Sequence, residues 1–363
     1  MFSAADHGYM ARALQLAERG LYSTSPNPRV GCVLVRDAVV VGEGWHQRAG
    51  EAHAEVRALQ AAAADGMAVR GATAYVTLEP CNHHGRTPPC VDALLAAGVA
   101  RVVAAMEDPN PLVAGQGLAR LRAAGVETAS GLLANEAREL NIGFVSRMTR
   151  GRPWLRLKAA ASLDGRTALA SGESQWITGA EARCDGHRWR ARACAILTGF
   201  GTVRDDDPQL NVRDIETPRQ PWRVVIDSRL ETPPTARLLD GGQVLVIGAE
   251  DHAARADALR ARGADVLILP NAAGKVDLSA ALQALAQRGI NEVHAEAGFR
   301  LNGSLLRENL VDELLLYLAP CLIGEAALGL FNLPALAALA DKRQLQWRDV
   351  RPVGADLRII ARL

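Results

Sequence analysis

Hydrophobic and polar positions change period repeatedly along the chain. Tyr9, Ala13, Leu14, Leu16 and Ala17 recur at helical spacing. Ser3 or Asp6 can cap that run and Gly20 stops it, so a helix is predicted over Ser3–Arg19. Short apolar runs at Cys32–Val35 and Val39–Gly44, either side of Arg36-Asp37, predict a two-stranded hairpin. Ala52–Ala64 is rich in alanine and predicts a helix. Ala72–Leu78 reads as a strand, and Pro88-Pro89-Cys90 opens a helix, since proline suits a first helical turn. A strand at Val99–Met106, a helix at Gly115–Ala124, a strand at Val126–Ala129 and a helix at Asn135–Asn141 continue the alternation. This pattern predicts an open sheet with helices on both faces. The basic segment Arg147–Pro153 carries Gly151 and Pro153 and reads as a linker between domains at 1–146 and 154–363.

Past the linker the pattern is again α/β. Trp154–Ala161 reads as a buried strand, Ser171–Thr178 as a polar loop with one large aromatic, Trp176, and Ala180–Ala193 as a helix. The strand Ala195–Thr198 runs into Gly199-Phe200-Gly201-Thr202. Further strands are predicted at Arg223–Ser228, Gln243–Gly248, Asp265–Leu269, Val293–Ala297 and Asp312–Leu322, with helices at Asp251–Arg262 and Leu278–Arg288. Gln344–Arg351 and Asp356–Leu363 read as a hairpin near a sheet edge. Glu296–Leu305 is a strand, a glycine turn and a helix start. Glycine between a strand and a helix lets main-chain N–H groups approach a phosphate, so Gly199–Thr202 and Gly298–Ser304 are candidate nucleotide contacts. Neither has the G-x-G-x-x-G spacing of a Rossmann turn. The arginines at 183, 188, 190 and 192 lie on one predicted helix, and most read as a solvated face.

Composition narrows the class. The chain has 363 residues, 49% hydrophobic and 22% charged, which is the range of a globular two-domain protein. A net charge of +1 lacks the basic surplus of a polyanion binder, so no nucleic-acid partner is expected. Six cysteines in a chain this long do not make a disulfide framework, which fits a reducing cytoplasm. Met1–Gly20 mixes acidic and basic residues and has no apolar core of a signal peptide. No apolar run reaches membrane-spanning length, and no membrane partner is expected.

The sharpest chemistry lies in His53-Ala54-Glu55 and the run Pro80-Cys81 to Pro89-Cys90. One imidazole and two thiols can fill three corners of a zinc tetrahedron and leave the fourth for water, as a catalytic site requires. Glu55 is not needed as a ligand and is free to move protons. This is the logic of a zinc-dependent base deaminase. A closed structural zinc, with His83, His84 or Cys32 as fourth ligand, is the alternative, but it leaves Glu55 without a role. Cys90 at a helix start favours the thiolate. Asn27, held between Pro26 and Pro28, can read a base edge with both donor and acceptor. An ordinary turn explains the same residues. His46, just before the metal residues, either faces the substrate or is a plain surface histidine.

Taken together, Pro26-Asn27-Pro28-x-Val30-Gly31, His53-Ala54-Glu55, Glu79 to Cys90 and Asp108-Pro109-Asn110-Pro111 resemble the deaminase half of the bifunctional deaminase–reductase family of riboflavin biosynthesis. Lys158–Thr178, Thr198–Arg213 and Glu296–Ser304 resemble its reductase half. The two resemblances span nearly the whole chain. They imply a cytidine-deaminase-like three-layer α/β/α domain followed by a dihydrofolate-reductase-like α/β domain. The expected activity is zinc-dependent deamination of a pyrimidine ribotide phosphate, then reduction of its ribosyl group with NADPH, in a cytoplasmic homo-oligomer. On this resemblance one zinc is held by His53, Cys81 and Cys90, with Glu55 as proton shuttle. Asn27, His46 and Arg86 face the deaminase substrate. Ala160, Trp176, Thr202, Asp206, Ser228 and the turn Gly298, Phe299, Arg300, Leu301, Asn302, Gly303 and Ser304 contact the nucleotide. Lys158, Asp164, Ser174, Arg190, Leu210, Arg213 and Glu296 contact the second substrate, with Arg190 and Arg213 as phosphate clamps. Ser228-Arg229 is a candidate receiver of the cofactor's 2′-phosphate. Arg204-Asp205 departs from the family pattern beside Asp206. A nucleoside or tRNA base deaminase with an appended binding domain is the runner-up. The eight residues between Cys81 and Cys90 oppose it, since such enzymes space these cysteines closely. Activity in only one half, or a zinc-organised scaffold without catalysis, are further alternatives.

Overall fold

The computed structural model describes residues 1–84, 88–111 and 113–363, which form two compact units, Met1–Gly151 and Arg152–Leu363. The first unit runs α1 (Ala4–Glu18), β1 (Gly31–Arg36), β2 (Val39–Trp45), α2 (Ala54–Ala64), β3 (Thr73–Val76), α3 (Cys90–Ala96), β4 (Arg101–Ala104), α4 (Gln116–Ala123), β5 (Glu127–Ser130), α5 (Ala134–Leu140) and α6 (Ile142–Arg150). Its sheet has the order β2-β1-β3-β4-β5. β1 is antiparallel to β2 and β3, and β3, β4 and β5 are parallel. The start of β1 and the ends of β2, β3 and β4 therefore share one edge. Gly31 and Gly44 let helices press onto opposite faces: a Cβ at Gly31 would meet the Ala13 carbonyl of α1, and one at Gly44 the Ala54 carbonyl of α2. The three-layer expectation holds.

The second unit runs β6 (Trp154–Ser162), β7 (Arg166–Ala168), α7 (Ala180–Arg192), β8 (Ala195–Gly199), α8 (Phe200–Asp206), β9 (Trp222–Ile226), β10 (Val244–Gly248), α9 (Ala253–Ala261), β11 (Asp265–Ile268), α10 (Leu278–Gln287), β12 (Glu292–Ala295), α11 (Phe299–Arg307), β13 (Glu313–Ala319), β14 (Leu328–Gly329), β15 (Gln346–Val353) and β16 (Asp356–Arg362). Nine strands form one sheet in the order β11-β10-β9-β8-β12-β6-β13-β16-β15. From β11 to β13 all neighbours are parallel, whereas β16 and β15 run antiparallel at the edge. The central strands β8, β10 and β12 are buried along nearly their whole length. The apolar runs of β8 and β10 reflect a parallel sheet covered on both faces, whereas β12 is buried with Glu292 and His294 in it. The expected C-terminal hairpin is present as the edge pair β15–β16.

Two sequence expectations are corrected, and one pair of strands was not predicted. The stretch 147–153 is not all linker, because α6 continues to Arg150 and the division falls after Gly151. Its buried Ile142, Phe144 and Val145 outweigh the basic residues that suggested a linker. The strand expected at 312–322 stops at Ala319. The short strands β7 and β14, paired only with each other, carry no alternation long enough to read.

A carboxylate ties α1 to the sheet. Ser3 is the cap, its Oγ accepting from the Asp6 N–H at 3.1 Å, while Asp6 accepts from the Ser3 N–H at 2.8 Å. The same carboxylate accepts from Tyr75 Oη on β3 at 2.7 Å and pairs with Arg101 on β4 at 2.9 Å. Burial opposes the charged form, but these donors outweigh it and hold the Asp6 carboxyl well below the usual range. Because the folded value is depressed, the contribution is full above about pH 4 and fades as pH falls toward the folded value. Asp6→Asn is expected to cost about 3 kcal/mol near neutrality. Thermal unfolding against pH should show the gap from wild type narrowing below pH about 4.

Candidate active sites

His53 is the cap residue of α2, Cys90 the first residue of α3, and Cys81 lies beyond the end of β3. Their ligand atoms all lie within 4.8 Å of one another, with His53 Nδ1 at 3.6 Å from Cys81 Sγ and 3.3 Å from Cys90 Sγ. A tetrahedral zinc with Zn–S about 2.3 Å and Zn–N about 2.0 Å needs N···S separations of about 3.6 Å, so the triad fits the ion. Among the described residues, the cluster has no fourth protein ligand: His83, His84 and Cys32 lie outside it. An open fourth position is the arrangement of a catalytic site.

The surroundings set the charge states. The Cys90 thiol and the Cys90 main-chain N–H, the latter at 3.3 Å, both donate to Cys81 Sγ and lower its pKa. That same partnership and burial raise the Cys90 thiol. Glu55, in the first turn of α2, is 3% exposed, and burial followed by the charge of Cys81 raises its carboxyl to about 7. A carboxyl poised there exchanges protons in both directions near neutral pH.

Asn27 and His46 meet beside this triad. The Ala52 carbonyl accepts from His46 Nδ1 at 3.2 Å, which leaves Nε2 to accept from Asn27 Nδ2 at 3.0 Å. His46 is buried, with its ring edge-on to His53 at 5.0 Å, and burial lowers its pKa. The surface alternative for His46 is thereby excluded: it is buried and bonds to the Asn27 amide. Asn141 clamps the same loop, accepting from the Arg29 N–H at 2.7 Å and donating to the Arg29 carbonyl at 2.9 Å. Glu79 fixes the next loop. Its buried carboxylate accepts four main-chain N–H groups, from Asp108, Gly115, Gly117 and Leu118, at 2.8–3.1 Å. Gly117 is required there, since a Cβ would meet the Pro80 carbonyl. Arg86 lies outside the described residues.

In the second unit, the C-terminal ends of β8, β9, β12 and β6 share one edge. They deliver Thr202 and Asp206 on α8, Ser228 after β9, Gly298 as the cap of α11, and Ala160. A Cβ at Gly298 would lie 3.8 Å from Thr202 Oγ1, so the starts of α8 and α11 are neighbours. Paired helix starts at the ends of parallel strands suit a nucleotide pyrophosphate. Beyond the cap, Phe299, Arg300, Leu301 and Ser304 continue the first turns of α11, and Asn302 and Gly303 are buried. Trp176 is 67% exposed and stacks under Arg183 at 4.6 Å, so it lies on the surface rather than in a closed pocket. Ser174 is half-buried in the same loop. Arg204 and Asp205, the departure from the family pattern, pair with each other at 2.7 Å on the exposed side of α8.

Several expected substrate residues are held by partners within the protein. Arg190 forks onto Glu296 at 2.5 and 2.8 Å, which occupies the guanidinium expected to clamp a phosphate. Asp164 accepts from Ser162 Oγ at 2.5 Å and from the Gly324 N–H at 2.8 Å, so it holds a turn. Lys158 is pushed down by burial. Glu296 is held ionised against its burial by Arg190, Lys158 and His294. Leu210 is buried, and Arg213 is exposed with its Nη1 donating to Asn211 Oδ1 at 2.9 Å. His187, His294, Gln220, Asn141 and the role of Glu79 carried no sequence signal. Only the helical spacing of His187 and Arg190 hinted at a shared face.

These two sites define a zinc-type base deaminase unit followed by an α/β unit with a nucleotide-binding edge. Residues 3–106 match the cytidine and deoxycytidylate deaminase zinc-binding region, and residues 153–359 match the RibD C-terminal domain. The riboflavin biosynthesis protein RibD of Escherichia coli (strain K12) is 51% identical over 97% of this chain and 98% of that protein. Acinetobacter baumannii RibD superposes with a TM-score of 0.91 at 45% identity, over 99% of this chain and 98% of that one. A diaminohydroxyphosphoribosylaminopyrimidine deaminase/5-amino-6-(5-phosphoribosylamino)uracil reductase from Thermotoga maritima gives 0.88 at 30% identity, with coverage of 99% and 98%. The chain belongs to the RibD family, the bifunctional deaminase–reductases of riboflavin biosynthesis. The family assignment removes the tRNA-deaminase and scaffold alternatives. Among the described residues, no helix is long and apolar enough to cross a membrane.

Glu79→Ala leaves four main-chain N–H groups without their acceptor. It is expected to lower stability by at least about 3 kcal/mol and weaken zinc retention about tenfold or more. Thermal unfolding and zinc content after dialysis against a chelator measure both.

Proposed function

We propose that the first unit converts 2,5-diamino-6-ribosylamino-4(3H)-pyrimidinone 5′-phosphate to 5-amino-6-(5-phosphoribosylamino)uracil. The second unit then reduces the ribosyl group with NADPH to the ribityl product. The observation that carries the first half is the zinc-fitting triad of His53, Cys81 and Cys90 with a buried, near-neutral Glu55 beside it. When bound, one zinc per chain would acidify a water molecule and so make a nucleophile available at neutral pH. Glu55 takes the proton of the attacking water as its oxygen bonds to C2. It passes that proton to the ring nitrogen, then takes the proton of the new C2 hydroxyl and delivers it to the amine, so that the C2–N bond breaks, the C2 carbonyl forms and ammonia leaves. Asn27, its amide turned by His46, offers donor and acceptor to the pyrimidine edge.

For the second half, when bound, the reduced nicotinamide supplies the hydride that reaches C1′. The protein's part is to hold the reactants. Helix starts at Phe200 and Gly298 face the cofactor phosphates, and Ser228-Arg229 meets the 2′-phosphate. Lys158 and Glu296 orient the open sugar, and Arg213 meets its phosphate. All six cysteines are free, which supports work in a reducing cytoplasm.

Zinc-loaded protein incubated with the diaminopyrimidine ribotide is expected to give the deaminated mass alone, and the deaminated and reduced mass once NADPH is added. Deamination without reduction would reject the second half. Glu55→Gln should retain zinc by elemental analysis but lose deamination by about 10²–10⁴-fold. A fully active variant removes Glu55 from the mechanism. Comparable rates with NADH and NADPH would reject the assignment of Ser228-Arg229.

A further inference from the structure

The segment Leu210–Asp214 follows no regular structure, yet it is tied down residue by residue. Asn211 O accepts from Arg190 Nη1 at 3.1 Å. Val212 donates its N–H to Gln220 Oε1 at 2.8 Å, and its carbonyl accepts from Gln220 Nε2 at 3.0 Å. The Arg213 N–H reaches His187 Nδ1 at 3.3 Å. Both ends of the segment sit in the left-handed region, with φ of 47° at Leu210 and 63° at Asp214. Side chains with a Cβ rarely adopt that region, and it persists where the surroundings over-determine the backbone. So three side chains replace the ladder a strand would have provided.

His187 is buried on α7, three residues before Arg190. Its Nδ1 acts as acceptor, so the ring is neutral with the proton on Nε2, and Nε2 lies 3.3 Å from Asp214 Oδ2. Burial, followed by the nearby Arg190 and Arg213, lowers its pKa to about 4, which keeps the acceptor available at neutral pH. The imidazole therefore bridges the main chain of Arg213 and the side chain of the next residue. Of the two arginines expected at the substrate phosphate, Arg190 is occupied by Glu296, and Arg213 is exposed with Asn211 as the partner of its Nη1.

We propose that His187, backed by Gln220, is a positioning residue that aims the Arg213 guanidinium at the phosphate of the reductase substrate. This rests on the reading that Arg213 binds that phosphate. His187 touches no reacting atom; it acts through the Arg213 backbone.

The test is steady-state reduction by the full-length, zinc-loaded protein with the deaminated ribotide and NADPH, using R213A, H187L, H187N and H187L/R213A. Deamination by each preparation serves as the control that the protein is intact. H187L is expected to raise KM for the ribotide about tenfold while kcat and KM for NADPH stay within about twofold. H187N keeps an oxygen acceptor close to the Nδ1 position and should recover most of the loss. H187L/R213A should be no worse than R213A, because the two act in series. With the riboside lacking phosphate, wild type and H187L should perform alike. Should H187L not fold, Gln220→Leu removes the neighbouring clamp and is expected to give the same KM effect. If R213A loses affinity but H187L and Gln220→Leu do not, the positioning role is overturned while the phosphate reading stands. Multiplicative losses in H187L/R213A also overturn it. If R213A binds the ribotide as tightly as wild type, the phosphate reading fails, and this inference with it.

Discussion

The first site depends on one buried carboxylate placed where four main-chain N–H groups converge. Glu79 closes β3, and its two oxygens gather donors from Asp108, Gly115, Gly117 and Leu118, three of them at the start of α4. An unpaired carboxylate could not be buried at this depth. Main-chain donors and the positive end of a helix make it stable there. Because Pro80 and Cys81 follow directly, the same anchor fixes the Cys81 thiol of the zinc-fitting triad relative to the adjacent parallel strand β4. The start of α2, which carries His53 and Glu55, follows β2 and emerges at the same edge. The metal residues thus come from three separated parts of the chain, held by sheet geometry.

The second site is organised by charge in a different way. Glu296 lies past the end of β12 and gathers Arg190 from α7, Lys158 from β6 and the neighbouring His294. A deeper ionic group, Arg156 with Glu292 and Glu313, joins β6, β12 and β13 beneath the Trp189 ring, which lies 4.4 Å from the Arg156 guanidinium. Buried pairs of this kind add little net stability, since desolvation offsets attraction, but they penalise any register that separates them. Here they lie across the register that also brings the starts of α8 and α11 together.

The clustering of His53, Cys81 and Cys90 and most of the α/β succession were legible in the sequence. Metal ligation restricts residue type severely, and a continuous apolar run or a capped amphipathic stretch writes local structure directly into the pattern. Ser3 and Asp6 are an instance: either could have been the cap, and the two share the task as a capping box. The helix Ile142–Arg150 was missed because its buried face is short and its polar face resembles a linker.

What the sequence determined by itself was the kind of chemistry, through residue types that few other sites require, and the order of elements, through local periodicity. Tertiary structure decided which polar side chains remain available. Arg190, expected at a phosphate, is paired through its guanidinium with Glu296, which lies far along the chain. Asp164 holds a turn, His46 bonds to the Asn27 amide, and His187 accepts from the Arg213 main chain. A side chain's hydrogen-bonding capacity is spent on whatever the fold brings within about 3 Å. Those partners come from distant strands and helices, so that part of the function is settled only when the chain has closed on itself.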